Sequence, residues 1–408
     1  MHKIEKANWK RNTILFLISQ CITLFGSTLV QMAVIWYVTL KTTSGIWVAA
    51  FSICSYLPQF LISFWGGVWA DQYDRKRLII LSDGMIAIIT LLTFFMVPFL
   101  QTEPIFLGTL LLMSIFRSLG AGIQTPAVNA MIPQLVPSEH LMSYNGFNAI
   151  MQSIVQFSAP AAAGVILATF PLRTTLLVDV GTAFVGIGLF FLVPLQKKEK
   201  GQEKRTVIED LKSGIRYAYC DTLLRRLLLI YGLFVLLCVP GGFMAGLLVS
   251  RTYGDTYWYL TTVELVGFAG MTAGGFLMGT WKGFSNQIKT LVFGLLLFGS
   301  MSIGMGIAPT FLIYLLMMTL YGVALTVIQT TITTLIQQQT KAEMQGRVFG
   351  LMGSIYAGFL PLGMAVFGPA ADTVPLQWSM VGAGIILILM AIWTMSHFRY
   401  RPKIKHSK

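Results

Sequence analysis

Twelve long apolar stretches, separated by short polar connections, run through this chain of 408 residues. The hydrocarbon core of a bilayer is about 30 Å thick, and a helix needs roughly 20 apolar residues to cross it. Pro, Gly and charge clusters punctuate the sequence into stretches of that length. The expected spans are 12–40, 44–70, 77–99, 104–131, 143–169, 172–195, 222–249, 256–281, 288–308, 311–336, 345–370 and 376–397. The chain therefore reads as an all-α membrane protein with twelve transmembrane helices. Its 11% charged residues agree, because soluble domains carry about a quarter. The first stretch, Ile14 to Leu40, is too long for the apolar region of a cleaved signal peptide and is expected to remain as span 1.

The net charge of +13 is an orienting device rather than a nucleic-acid footprint, which would need a basic face on a folded domain. Among the Lys and Arg residues, Lys41, Arg173 and Arg251 fall on one side and Arg117 within a span. The others occupy the alternate connections and the two tails. Basic connections stay in the cytoplasm, so both termini and the long central connection are expected there, with the spans in a bacterial cytoplasmic membrane. Cys21, Cys54, Cys220 and Cys238 show no paired spacing, and neither a disulfide framework nor a metal site is expected.

Composition changes abruptly at QKKEKGQEKRTVIEDLKSGIRYAY. This divides the chain into an N-terminal six-span bundle (1–195), a cytoplasmic linker (196–221), a C-terminal six-span bundle (222–397) and a basic tail (398–408). In the linker Val207, Ile208, Leu211, Ile215 and Ala218 recur at helical spacing between charges, the pattern of an amphipathic helix lying on a membrane surface. The halves are related by sequence. LLLMSIFRSLGAGIQT (110–125) aligns without gaps to LLMMTLYGVALTVIQT (315–330), so span 4 corresponds to span 10. Repeated halves mark transporters built by duplication. The alignment sets Arg117 against Gly322, so the charge exists in one half only.

Few ionisable groups fall inside spans, where charge is costly and faces a cavity or a partner. Asp83 lies six residues past Arg77 and Arg117 thirteen past Pro104. At about 1.5 Å per residue their depths nearly coincide, which makes an Asp83–Arg117 ion pair one reading and a pathway-lining Arg117 the other. Asp179, in span 6, and Glu264, in span 8, are the remaining candidates for a proton or substrate path. Gln20 and Gln31 sit on one face of span 1, lining a cavity or bonding neighbouring helices. Gly270 with Gly274, and Gly275 with Gly279, each permit close helix contact. No GxxxxGK[ST] phosphate loop, HExxH zinc motif or GxSxG elbow occurs, so no enzyme, no cofactor and no metal is expected. Energy must come from an ion gradient.

Between spans 2 and 3 lies GVWADQYDRKR (67–77), an acid and a basic run on a tight turn. It resembles motif A of the major facilitator superfamily through Gly67, Asp71, Arg75, Lys76 and Arg77, with Gln72 where a cation is common and Asp74 where Gly is common. SAPAAAG (158–164) resembles motif C of the drug-antiporter branches, with Ala159 in place of Gly, then Pro160, Ala163 and Gly164. RSLGAG loosely resembles motif B through Arg117. With LVQMAVIWYVT, FRSLGAGIQTPAVNAMIPQLVP and LLVDVGTAF, the order of features is similar to the macrolide-efflux branch of that superfamily. The resemblance implies two six-helix bundles that alternate in access and export a hydrophobic small molecule against inward proton flow. Spans 1, 4, 7 and 10 would line the cavity and motif A would act as a conformational latch. It favours Gln20, Gln31 and Arg117 as lining residues over Asp179, whose span is peripheral. The expected partners are the bilayer, the substrate and protons, without nucleic acid, and a monomer is expected. Export of an endogenous metabolite such as a siderophore is the alternative within the same fold.

Overall fold

The computed structural model describes residues 9–137, 140–194, 215–281, 283–341 and 344–397, the side chains at 71, 142, 143 and 346 excepted. Their order is α1 (Trp9–Thr42), α2 (Gly45–Gln72), α3 (Arg75–Met96), α4 (Glu103–Leu135), α5 (Leu141–Thr169), α6 (Leu172–Phe191), α7 (Thr222–Leu237) and α8 (Ala245–Thr252). There follow α9 (Tyr257–Trp281), α10 (Gln287–Ile307), α11 (Phe311–Gln339), α12 (Gln345–Thr373) and α13 (Leu376–His397). Eleven of the described helices are long and apolar enough to cross a membrane. The remaining expected span, 222–249, is interrupted. Residues 238–244 form turns between α7 and α8, because Pro240 supplies no amide proton and Gly241 and Gly242 follow it. The carbonyl that Pro240 leaves without its helical partner, that of Leu236, accepts from the Val239 amide at 3.4 Å, and the Cys238 carbonyl accepts from the Gly242 amide at 2.9 Å and the Tyr321 hydroxyl at 3.1 Å.

The chain forms two compact units: Met1–Val207 with Gly254–Thr262 (unit 1), and Ile208–Tyr253 with Val263–Lys408 (unit 2). In unit 1, α3 packs on α4 and α6, and α1 on α5. In unit 2, α10 packs on α11 and α13, and α7 on α12. The pairings thus recur, as the sequence repeat predicts. The proposed linker helix lies mostly outside the described residues, of which 215–220 are helical.

Unit 1 has a layered interior. At one end an apolar cluster joins Phe16, Ile79, Met131, Leu135 and Phe190. At the other, Leu29, Val34, Leu110, Met113, Leu172 and Leu176 form a second. Between them, on four different helices, the buried side chains turn polar: Gln20 and Thr23, Asp83 and Thr90, Ser114, Arg117 and Ser118, and Asp179. Two hydrophobic layers thus enclose a polar one.

Glycines set how closely helices meet. A Cβ on Gly66 would stand 2.6 Å from the Gly122 carbonyl oxygen, and one on Gly122 2.4 Å from that of Gln59, so α2 and α4 touch backbone to backbone. Gly67 meets nothing within 4 Å. In unit 2, Gly270 and Gly274 face Thr319 and Val323 of α11, and Gly322 faces the Gly267 carbonyl. The second expected pair, Gly275 and Gly279, has open space, since one residue along a helix turns the face by about 100°. At the position equivalent to Arg117, unit 2 therefore places a bare backbone contact.

Candidate functional site

The polar layer of unit 1 contains adjoining cavities. One of about 210 Å³ is lined by residues that include Gln31, Gln59, Asp83, Gln124, Gln156 and Asp179. A second, of about 180 Å³, shares Leu24, Gln124, Thr125 and Gln156 with it and adds Gln20 and Gln152. A smaller one, of about 50 Å³, reaches Arg117 beside Ser27, Gln31 and Gln59. Both glutamines expected from α1 therefore line a cavity.

Arg117 forms an ion pair with Asp179, and the same guanidinium nitrogen donates to Thr90 Oγ1. Its other terminal nitrogen donates to Ser27 Oγ at 3.1 Å and to the Ser27 carbonyl at 3.3 Å. The Thr90 hydroxyl donates to Asp179 Oδ2 at 3.0 Å. Arg117 and Asp179 are 8% and 2% exposed, so the charges are held by one another and by α1, α3, α4 and α6 together. A buried ion pair is costly to desolvate and costlier to break.

The Asp83–Arg117 pair anticipated from depth is not formed. Asp83 instead accepts a hydrogen bond from Gln124 Nε2 at 2.6 Å. α3 and α4 run antiparallel with Asp83 opposite Gln124 and Thr90 opposite Arg117. Seven residues, about 10 Å of helix, therefore separate the two levels. α4 has 33 residues, about 50 Å of helix, well beyond the hydrocarbon thickness. Counting depth from its first turn misplaced Arg117. The expectation that Asp179 is peripheral is corrected as well. α6 contributes the Arg117 counter-ion, and its Asp179 lines the same cavity as Asp83. Gln59, Gln124, Gln152 and Gln156 also line the cavities, and carry no charge that would set them apart within their spans. The four-residue spacing of Gln152 and Gln156 on one face of α5 was the available signal.

The motif A segment is tied into unit 1. Asp74 is the N-cap of α3 and accepts from the Arg77 amide at 3.0 Å. Its φ of −66° requires no glycine. Arg75 donates to the carbonyls of Ala70 at 2.9 Å and Ala130 at 2.6 Å, strapping the ends of α2 and α4. Lys76 donates to the carbonyls of Phe191 and Val193 at 3.0 and 2.7 Å, where the C-terminal end of α6 favours a cation. Arg77 is exposed, and the Asp71 side chain lies outside the described residues. Of motif C, Ala159, Pro160, Ala163 and Gly164 are all buried, and a Cβ on Gly164 would fall 1.9 Å from Thr261 Oγ1. Glu264 belongs to unit 2. It is half-buried and, among the described residues, has no hydrogen-bond or ion-pair partner. No cluster of three metal-ligating side chains occurs among the described residues.

The Major Facilitator Superfamily model matches residues 16–364. This chain belongs to the major facilitator superfamily. It is a multi-pass membrane transporter, 27% identical over 395 residues to macrolide efflux protein A of Streptococcus pyogenes, covering 94% of this chain and 95% of that protein. It is 23% identical over 400 residues to the staphyloferrin A transporter of Staphylococcus aureus, covering 96% and 98%. Among solved structures, a bacterial homologue of the iron transporter ferroportin in an inward-facing state superposes with a TM-score of 0.73 at 16% identity, over 95% of this chain and 99% of that one. That likeness concerns the fold. The major facilitator architecture and the macrolide-efflux branch expected from the motifs are both supported by these relatives.

Proposed function

We propose that this chain exports amphipathic small molecules of the macrolide class from a bacterial cell, in exchange for protons, with both termini in the cytoplasm. The observation that carries the proposal is the polar layer of unit 1, where Asp83 and Asp179 line one cavity between apolar ends. Asp83, held by a neutral carboxamide alone among its hydrogen-bond partners, is the proton-exchanging carboxylate. Arg117 is the counter-ion of Asp179. Glu264, without a hydrogen-bond or ion-pair partner among the described residues, is a second exchanging group in unit 2. Motif A acts as the latch, with Arg75 and Lys76 changing their carbonyl partners as access alternates. Similarity to macrolide efflux protein A supports the substrate class.

Export of an endogenous chelator such as a siderophore is the second reading, favoured by the similarity to the staphyloferrin A transporter. It suits unit 1 less well. Arg117 is the only cation among the described residues lining its cavities, and Asp179 already neutralises it. Everted membrane vesicles with an imposed pH gradient test the proposal. Gradient-dependent accumulation of at least one macrolide is expected. Accumulation of a siderophore and of no macrolide would replace the first reading by the second.

A further inference from the structure

Tyr314, in α11 of unit 2, is 0% exposed, and its hydroxyl has no hydrogen-bond partner among the described residues. A buried hydroxyl left bare weakens the fold that holds it. The ring itself is well seated. Tyr253 and Phe311 pack on it with centroids 5.6 and 6.5 Å away, and Tyr253 donates its own hydroxyl to the Ala308 carbonyl at 2.7 Å. Ring packing would be served equally by Phe, so it gives no reason for the Tyr314 oxygen.

The register of α9 on α11 supplies one. A Cβ on Gly267 would meet Met318, one on Gly270 the Thr319 carbonyl, and one on Gly274 the Val323 carbonyl. The two helices therefore run in the same direction, with residues about fifty positions apart side by side. One turn back along that register, Glu264 comes level with Tyr314. At about 100° per residue, both fall on the same flank of the seam, and Glu264 lies within electrostatic reach of Tyr314. Glu264 has no hydrogen-bond or ion-pair partner among the described residues either. The other buried hydroxyl without a partner among them, that of Thr340, follows the far end of α11. An acceptor and a donor, each unsatisfied, thus stand at one level.

A carboxyl group that has lost its proton inside a span needs a donor, because charge there is costly and hydrogen bonds to an ionised group are the strong ones. A protonated carboxyl is neutral and can do without it. Glu264 is half-buried and has a long side chain with room to turn, whereas the enclosed Tyr314 ring is fixed. We infer that the Tyr314 hydroxyl is the donor that Glu264 takes up when its proton has left, the two being joined while Glu264 is ionised and parted while it is protonated. The proton passes to water, and Tyr314 keeps its own and stays uncharged. Tyr314 is thus a positioning residue for Glu264. The inference rests on Glu264 being an exchanging group, as proposed above. It adds that each exchange remakes one contact between α9 and α11.

The test is infrared difference spectroscopy of the purified full chain in lipid nanodiscs, between acidic and alkaline buffer. The parent should show a protonated-carboxyl band that is missing in Glu264→Gln, and tyrosine ring bands that change in step with it. In Tyr314→Phe those tyrosine bands should be lost and the Glu264 carboxylate band should shift. Tyr253→Phe, which removes the neighbouring hydroxyl, should leave both as in the parent. Tyr314→Phe should melt at or above the parent, since it discards a hydroxyl without a partner. A Glu264 signal unchanged by Tyr314→Phe, or moved equally by Tyr253→Phe, would overturn the pairing and leave Glu264 as an exchanging group. Melting of Tyr314→Phe well below the parent would also overturn it, by showing the hydroxyl bonded in the resting fold. A parent spectrum identical to that of Glu264→Gln would overturn the reading of Glu264 itself, and the pairing with it.

Discussion

Replacing Asp179 by Asn removes one half of a buried ion pair while keeping its shape. Arg117 is then left charged at 8% exposure, in a layer closed by apolar clusters at both ends. Breaking such a pair costs roughly 3–5 kcal/mol. Arg117 retains Thr90 and the two Ser27 oxygens as acceptors, so the lower end, about 3 kcal/mol, is expected. For a unit of this size, each kcal/mol shifts a melting temperature by about 2–4 °C, giving a loss of about 6–12 °C. Tryptophan fluorescence on heating, with the protein in nanodiscs, measures it. The double variant Arg117→Met with Asp179→Leu discards both charges, and such replacements are often neutral or stabilising, so it should melt within about 2 °C of the parent. It should nonetheless be inactive in transport. A double variant as unstable as Asp179→Asn, or an Asp179→Asn protein melting with the parent, would refute the assignment of this pair.

Further outcomes follow from the same geometry. Gly122→Ala forces a Cβ against the Gln59 carbonyl and should cost roughly 1–3 kcal/mol, whereas Gly67→Ala, with open space, should melt with the parent; paired melting curves separate them. Asp83→Asn should leave folding intact, because an amide still bonds Gln124, yet abolish the response of transport to an imposed pH gradient in everted vesicles. Lys76→Met loses two carbonyl contacts at the end of α6 and should slow transport with membrane insertion preserved, as read by vesicle uptake against protein level. Glu264→Gln replaces a carboxyl group that has no hydrogen-bond or ion-pair partner among the described residues and should be stable; gradient-driven uptake equal to the parent would exclude Glu264 from coupling.

The helical architecture was legible because spans are set by length and hydrophobicity, properties local to the sequence. The break at Cys238–Met244 was legible in principle from VPGGF, but an apolar run around it concealed the turn. The site was half legible. Arg117, Asp83, Asp179 and Glu264 stand out because charge inside a span has to be explained. Their pairing did not follow from depth. An antiparallel register shifted by two turns decided between Asp83 and Asp179, and only packing sets that register. Asp74, an apparent departure from a glycine pattern, serves as a helix cap, which the S/T/D/N rule for N-caps predicts. The glutamines were the larger omission, because one carboxamide in a helix is unremarked until four helices bring several together.

The central claim is that carboxylates of the unit 1 cavity couple substrate export to protons. Proteoliposomes holding the parent or the Asp83→Asn variant, loaded with a pH-sensitive dye and given a macrolide gradient, measure that coupling directly. The account predicts that substrate flux drives counter-directed proton movement in the parent, and that in Asp83→Asn substrate moves without protons. Equal proton movement in both, or substrate flux in the parent without any proton movement, would contradict it.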